Sequence, residues 1–221
     1  MIKAVIFDYN GTLLDDLPVA YGSIREIFRR YNLPCPTPEQ YRLEIGTNFM
    51  EFYYNHGFPR TTTAKELNVV RMEYYLDHFH EAKLRPEVET VLSALSLLEI
   101  KFAIVSADVD SLVIKKLEEV DMKSFFNVIR AGVRDKRTAL LEVCKELGVE
   151  PHEACYVDDT VDGNTAAKEA GLHAIAIIGT GYHSVERLSK VSPHVISNLY
   201  ELSAIIEAID VEDELSDWGM S

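Results

Sequence analysis

Polar side chains that could take part in catalysis or ligand binding occur at four places where an apolar, strand-like run ends or a helix begins. They are Asp8, Ser106, Lys136 and the adjacent pair Asp158 and Asp159. Two adjacent carboxylates after a buried strand repel each other and raise a pKa unless a cation neutralises them. Carboxylate oxygens suit Mg²⁺, which prefers one or two of them together with waters and a phosphate oxygen. A serine hydroxyl and a lysine ammonium can hold the oxygens of an anion.

The first of these places, Asp8–Asp15, has a carboxylate at the end of a strand and a glycine three residues later. Gly11 lets the chain turn tightly, so that successive amides can point at an anion. A second interpretation stays open, because Asn10-Gly11 between two apolar runs is the strongest short signal for a β-hairpin. Ser106 and Lys136 also have ordinary alternatives, a turn residue and a solvated charge run.

From Pro86 onward, helical and strand-like segments alternate regularly, which indicates a parallel sheet with helical crossovers. In open sheets of this kind, ligands bind at the carboxyl ends of the strands, where the four polar places would meet. The predicted strands are 4–7, 101–105, a short one near Val128, 154–157, 174–178 and 194–196. The predicted helices are 86–98, 111–120, 136–147, 184–188 and 200–209.

The segment before Pro86 has a different character, with Tyr, Phe and charged residues at helical spacing and several Pro and Gly interruptions. Helix starts are predicted at Thr37-Pro38 and after Thr61-Thr62-Thr63. We therefore predict an α/β core domain from residues 1–16 and 85–210, an inserted helical cap domain over 17–84, and a frayed acidic tail over 211–221.

Composition limits the partners of the chain. It has 36 acidic against 22 basic residues and a net charge of −14, which argues against nucleic acid, whose binding depends on basic side chains. The same charge repels anionic substrates, so a phosphate site needs a local positive charge or a metal.

The chain lacks a long apolar run for a membrane and the anatomy of a signal peptide, so we expect a cytoplasmic protein. Cys35, Cys144 and Cys155 have no metal-ligand spacing, which predicts reduced thiols.

In this order and spacing, the four places resemble the motifs of the haloacid dehalogenase superfamily, and within it the phosphoglycolate-phosphatase-like and β-phosphoglucomutase-like group. Asp8–Thr12 is similar to the first motif, D-x-D-G-T, and Ser106 and Lys136 are similar to the second and third. The run Asp158–Gly171 is similar to the form E-D-S-x-x-G-x-x-A-A-x-x-A-G of the fourth. The resemblance implies a Rossmann-like three-layer α/β sandwich with a parallel sheet and an inserted helical cap.

The resemblance also implies a role for each residue. Asp8 would be the nucleophile that forms an aspartyl-phosphate with a small phosphorylated metabolite. The ligands of Mg²⁺ would be Asp8, the backbone carbonyl of Asn10, Asp159 and, directly or through water, Asp158. The phosphoryl group would be held by Gly11, Thr12, Ser106, the amide of Ala107 and Lys136. Residues near the family's specificity loop in the cap are Gly46, Thr47, Asn48 and Tyr53, of which we expect Tyr53 to pack in the cap.

Two positions depart from the family pattern. In the G-D-x-x-x-D form of the last motif an acid stands where this chain has Gly163; the acid here is Asp162, which we leave out of the metal set. Asn10 stands where the family has a second aspartate, which protonates the leaving oxygen and then activates water. An amide has no titrating proton near neutral pH, and losing a general acid-base costs about 10²–10⁴ in rate.

Three hypotheses follow from Asn10. The chain could be a phosphatase suited to good leaving groups, or one that uses His56 or His183 as its proton carrier. It could be a slow enzyme whose aspartyl-phosphate persists, or Asn10 could deamidate beside Gly11 and restore an aspartate in part. Our leading prediction is a Mg²⁺-dependent phosphatase. The alternatives are a β-phosphoglucomutase-like transfer, disfavoured by Asn10, and a non-catalytic phosphate-binding or metal-binding regulatory protein on the same fold.

Overall fold

The chain folds into a six-stranded parallel sheet covered by helices, with a group of helices inserted near its N-terminus. The computed structural model describes residues 1–45, 49–179 and 183–217. The strands are β1 (Ala4–Phe7), β2 (Leu14–Asp15), β3 (Lys83–Leu84), β4 (Lys101–Val105), β5 (Val128–Arg130), β6 (Ala154–Asp158), β7 (His173–Ile177) and β8 (His194–Ile196). The helices are α1 (Leu17–Arg30), α2 (Pro38–Glu44), α3 (Phe49–Asn55), α4 (Ala64–His78), α5 (Val88–Ser96), α6 (Asp110–Glu119), α7 (Lys136–Leu147), α8 (Val161–Glu169), α9 (Val185–Leu188) and α10 (Leu202–Asp217). Within those residues, no helix combines the length and the apolar character that crossing a membrane requires.

The sheet has the order β5-β4-β1-β6-β7-β8 and all its neighbouring strands run parallel. Strand β1 lies in the middle, and Phe7 is opposite Ile104 of β4 and Val157 of β6. The carboxyl ends of these three strands therefore lie side by side, as predicted. Because β1 has parallel partners on both sides, the Asn10-Gly11 turn does not close a hairpin with it, and that interpretation is wrong.

Both faces of the sheet are buried, which explains the continuous apolar run in β1. Val5 and Phe7 face a core that includes residues of α5, α6 and α10. Ala4 and Ile6 face the other core, with residues of α7 and α8. Packing on two sides fixes the end of β1, and with it the backbone of Asp8.

Helices α1 to α4 form the inserted group. It leaves and rejoins the sheet through β2 and β3, which pair antiparallel with Leu14 opposite Leu84. The group has its own aromatic core around Phe28, whose ring centroid lies 5.0 Å from that of Phe58 and 5.9 Å from that of Tyr53. Tyr53 is buried in this core, as expected. The domain boundaries at residues 16 and 84 stay a prediction, although the β2–β3 pair lies there.

The prediction of a frayed tail from residue 211 is wrong as far as residue 217, because α10 continues to Asp217. Ile206 and Ile209 of this helix are buried against the sheet. Once the first turns dock, each further residue adds a backbone hydrogen bond without a new nucleation cost. Asp210 also accepts a hydrogen bond from the Ile2 amide at 2.5 Å, and Trp218 lies outside the described residues.

Candidate active site

Three of the four predicted places meet at Lys136. Asp8 follows β1, and its amide donates to the Val157 carbonyl of β6 at 2.9 Å. Lys136, the first residue of α7, donates from Nζ to Asp8 Oδ1 at 2.8 Å and to Asp158 Oδ2 at 2.6 Å. Asp158 is fully buried and Asp8 almost so, so the ammonium joins two carboxylates at the carboxyl ends of neighbouring strands.

The charges of this group are unbalanced. Burial raises the pKa of Asp8, and the neighbouring charge of Asp158 raises it further, while Lys136 lowers it. Burial opposes the charge of Lys136, but the carboxylates of Asp8 and Asp158 outweigh that effect and raise the pKa of its ammonium. Lys136 therefore stays protonated. Among the described residues, this one ammonium contacts two buried carboxylates, those of Asp8 and Asp158.

Asp8, Asp158 and Asp159 could hold a divalent cation. Each offers a carboxylate oxygen, and these oxygens lie within 4.8 Å of one another. Hard oxygen donors at such spacing suit a cation such as Mg²⁺, and the excess negative charge gives a physical reason to bind one. The donor set thus fits the metal that the family resemblance implies.

Asp158 is held from two sides. Its Oδ1 accepts from the Thr160 amide at 2.7 Å and from the Thr160 hydroxyl at 2.6 Å, while its Oδ2 faces Lys136. A Cβ atom placed on Gly163 would lie 1.9 Å from Asp158 Oδ2. The carboxylate of Asp158 therefore fills the space that a side chain at position 163 would need. This explains the departure from the G-D-x-x-x-D form, where the acid stands at position 163 and glycine at position 158.

The loop after Asp8 is tightly wound. Gly11 has a φ of +71°, and the Tyr9 carbonyl accepts from the Leu13 amide at 2.9 Å and from the Leu14 amide at 2.8 Å. The Thr12 hydroxyl is buried and has no hydrogen-bond partner among the described residues. A buried, unsatisfied hydroxyl is costly, so Thr12 is suited to a ligand oxygen such as that of a phosphoryl group.

Ser106 directly follows β4 and is buried. Its amide donates to the Arg130 carbonyl of β5 at 2.9 Å, and its hydroxyl oxygen accepts from the Asp108 amide at 3.1 Å. Because the hydroxyl acts as acceptor there, its own proton is free to be donated to an anion. The structure brings Ser106 to the same edge of the sheet as Asp8 and Asp158; its neighbour Ala107 follows it in the loop.

Asn10 lies in a hydrogen-bond network that the sequence did not reveal. Its Nδ2 donates to Asp16 Oδ2 at 3.1 Å and to the hydroxyl of Tyr75, a residue of α4. The Tyr75 hydroxyl donates to Asp16 Oδ2 at 3.0 Å, and Asp16 Oδ1 accepts from the Gly11 amide at 3.1 Å. Burial raises the pKa of Asp16, against the donors Asn10 and Tyr75. An aspartate at position 10 would face this carboxylate, so the amide matches its surroundings.

The remaining predicted site residues are not all in place. Gly46, Thr47 and Asn48 lie outside the described residues. His56 packs in the cap core, with its ring centroid 4.5 Å from that of Phe52. His183 is half-buried, and its pKa is lowered by burial and by Arg187, while Asp162 and Asp158 oppose that shift. The charges of Asp162 and Asp158 therefore act on His183.

Comparison with known proteins places the chain in a family. Residues 5–177 match the pattern of the haloacid dehalogenase-like hydrolases. The chain belongs to this family. The Bacillus subtilis protein YhcW is 30% identical to it over 185 residues, which cover 80% of this chain and 84% of that protein. The phosphoglycolate phosphatase of Chromobacterium violaceum is 27% identical over 217 residues, which cover 91% and 96%.

The fold comparison agrees. The haloacid dehalogenase-like protein ATU0790 of Agrobacterium tumefaciens superposes with a TM-score of 0.79 at 21% identity, covering 95% of this chain and 100% of that one. The parallel α/β fold is thus confirmed. The chain is a phosphatase of the haloacid dehalogenase type, similar to the phosphoglycolate phosphatases.

Proposed function

We propose that the chain hydrolyses a small soluble phosphomonoester through an aspartyl-phosphate on Asp8. The observation that carries this proposal is the position of Lys136, whose ammonium lies 2.8 Å from Asp8 and 2.6 Å from Asp158. A buried ammonium between a nucleophile and a metal-binding carboxylate serves phosphoryl transfer, where catalysis consists mainly of positioning and charge stabilisation. The similarity to phosphoglycolate phosphatases supports a small phosphorylated substrate.

The proposed chemistry has two displacements. A carboxylate oxygen of Asp8 attacks phosphorus, the P–O bond to the leaving group breaks, and water then attacks the aspartyl-phosphate to release phosphate. Gly11, Thr12, Ser106, the Ala107 amide and Lys136 would hold the phosphoryl oxygens. Mg²⁺ would be held by Asp8, the Asn10 carbonyl and Asp159, with Asp158 close by, and it supplies positive charge that offsets the charge of the phosphoryl oxygens.

Asn10 makes this enzyme slow in our proposal. Its amide cannot protonate an alkoxide leaving group or take a proton from water. The Nδ2 atom is also engaged with Asp16 and Tyr75. We therefore expect faster reaction with substrates whose leaving group needs no proton, and an aspartyl-phosphate that persists. His183 rather than His56 is the candidate for an alternative proton carrier, because His56 packs in the cap core.

Deamidation of Asn10 does not fit the geometry of the loop. That reaction requires the Gly11 amide nitrogen to attack the Asn10 side chain. The same nitrogen donates to the Leu14 carbonyl at 2.8 Å and to Asp16 Oδ1 at 3.1 Å. Peptide mass analysis should therefore find asparagine at position 10; a substantial aspartate fraction would contradict this argument.

The decisive experiment is Mg²⁺-dependent release of phosphate from a panel of aryl and alkyl phosphomonoesters. Asp8→Asn should abolish release and also abolish the mass increase of one phosphoryl group on the trapped protein. Asp162→Asn is the matched control, because it removes an exposed carboxylate close to the site in sequence, and it should leave both signals in place. Hydrolysis that survives Asp8→Asn would refute the aspartyl-phosphate.

Asn10→Asp tests the proposed cause of slow turnover. It should accelerate alkyl phosphate hydrolysis by about 10²–10⁴, the usual contribution of a general acid-base, and it should shorten the life of the phosphoprotein. An unchanged rate would show that another group already moves the proton, and His183→Gln would then identify or exclude His183.

A β-phosphoglucomutase-like transfer needs the same proton transfers and would instead yield an isomerised sugar phosphate. A cytoplasmic location stays a prediction from the sequence.

A further inference from the structure

Arg85 links the insertion to the active-site loop. It directly follows β3, the strand through which the chain returns from the helical insertion, and its amide donates to the Leu13 carbonyl at 2.8 Å. The Arg85 side chain binds two further backbone carbonyls. The Nη2 atom donates to the Gly11 carbonyl at 3.0 Å and to the Ile178 carbonyl at 3.0 Å. One guanidinium therefore joins the loop after β1 to the segment after β7.

These two segments are in unusually close contact at that point. A Cβ atom on Gly179 would lie 2.1 Å from the Gly11 carbonyl oxygen and 2.6 Å from Cβ of Asp159. Only glycine fits there. Gly179 is therefore packed directly against both the Gly11 peptide and Asp159. A shift of the segment at 178–179 would be passed directly to the loop after Asp8 and to a carboxylate of the proposed cation site.

The guanidinium itself is held in place. Its Nη1 lies 3.7 Å from Oε1 of Glu87, which is buried and also accepts a hydrogen bond from the Leu199 amide at 3.4 Å. The Arg85 side chain is 15% exposed; its bond to the Gly11 carbonyl is partly buried, whereas its bond to the Ile178 carbonyl lies at the surface. Carbonyl oxygens brought together without a donor repel each other, and a planar guanidinium with several fixed donors suits two acceptors at once.

We propose that Arg85 is a positioning residue for the phosphoryl-transfer site. It fixes the Asp8–Thr12 loop against the segment at 178–179, and through them it places the backbone carbonyl of Asn10 and the carboxylate of Asp159. The proposal rests on the proposed function for the roles of Asn10 and Asp159, whereas its mechanical part rests only on the contacts of Arg85. The Arg85 side chain does not touch the reacting atoms.

The test compares full-length Arg85→Gln and Arg85→Lys with the wild-type chain in two measurements. The first is the Kd of Mn²⁺, the probe ion, followed by its paramagnetic resonance. Residues that orient metal ligands typically change metal affinity by about 10–100-fold when replaced, so Arg85→Gln should raise the Kd by that factor. Arg85→Lys keeps the charge and one donor direction and should give an intermediate value. The second is hydrogen exchange, which should accelerate in peptides covering residues 9–14 and 176–179.

Lys101→Gln is the matched control. Lys101 also donates to a backbone carbonyl, that of Leu147 at 2.5 Å, but it begins β4 and so lies at the opposite end of the sheet. This variant should leave the Kd of Mn²⁺ and the exchange of residues 9–14 unchanged. If both variants lower the global stability but only Arg85→Gln changes the Kd of Mn²⁺ and the exchange of residues 9–14, these changes come from the lost contacts of Arg85 and not from lower stability.

Each outcome decides the proposal. Slower folding or a lower melting temperature of Arg85→Gln with wild-type exchange at residues 9–14 would overturn it, since Arg85 would then be structural only. If the wild-type chain does not bind Mn²⁺, the proposed cation site fails, and the exchange result alone decides whether Arg85 positions the loop. If Arg85→Gln does not fold, Arg85→Lys carries the test, and wild-type affinity and exchange in that variant would overturn the proposal.

Discussion

Replacing Gly163 with alanine should destabilise the protein, although alanine is the better helix residue. Gly163 lies in the first turn of α8, where an alanine ordinarily stabilises a helix by about 1 kcal/mol relative to glycine. Here the added Cβ would lie 1.9 Å from Asp158 Oδ2 and 2.6 Å from its Oδ1. Ordinary contact begins at 3.4 Å, so the carboxylate must retreat by the difference, about 1.5 Å.

That retreat has a definable free-energy cost. Asp158 is bound to the Lys136 ammonium at 2.6 Å and to the Thr160 amide and hydroxyl at 2.7 and 2.6 Å. Each hydrogen bond to a charged group contributes about 1.5–3 kcal/mol. A movement of this size breaks the bond to Lys136 and at least one of the others, which exceeds the gain in helix propensity. We expect the free energy of unfolding to fall by about 2–5 kcal/mol.

The assay is urea unfolding of four chains: wild type, Gly163→Ala, Asp158→Ala and the double variant. Such a cycle isolates the coupling between two neighbouring side chains. Because Asp158→Ala removes the colliding carboxylate, Gly163→Ala should stabilise that background by about 1 kcal/mol. A stabilising effect of Gly163→Ala in the wild-type background would refute the reasoning, because the carboxylate would then not occupy the space beside position 163.

Two further predictions concern the cap. Tyr75→Phe keeps the ring but removes the donor to buried Asp16, and urea unfolding should show a loss of about 1–3 kcal/mol; an unchanged stability would mean that Asp16 finds another donor. Hydrogen bonds from Arg29 and Arg30 lower the pKa of Glu26 to about 2, from 4.5. The stabilising contribution of the Glu26 carboxylate is therefore complete above pH 4.5 and is lost as the pH falls toward about 2. Glu26→Gln should make the melting temperature fall less steeply over that pH range. An equally steep fall in the variant would contradict the role of Glu26 in this pH dependence.

The sequence was sufficient for the sheet and for the set of polar strand ends. Strand Lys101–Val105 and helix Lys136–Leu147 have the predicted bounds, because a continuous apolar run defines a strand buried on both faces, and the side chain of Asp135 caps the helix through the Thr138 amide. The length of helix α10 was underestimated, because its exposed acidic residues give no apolar signal even though the docked helix continues to Asp217.

The sequence by itself determined which residues could do chemistry here: a carboxylate after β1, a serine after β4, a lysine at the start of α7 and two carboxylates at the end of β6. Only the tertiary structure decided how they are used. The contacts of Lys136 with Asp8 span 128 positions of the chain, and those of Asn10 with Tyr75 span 65. Arg85 binds two backbone carbonyls, which every residue has and which therefore leave no mark in a sequence. Such contacts depend on how the layers pack, and packing sets distances that residue spacing along the chain does not contain.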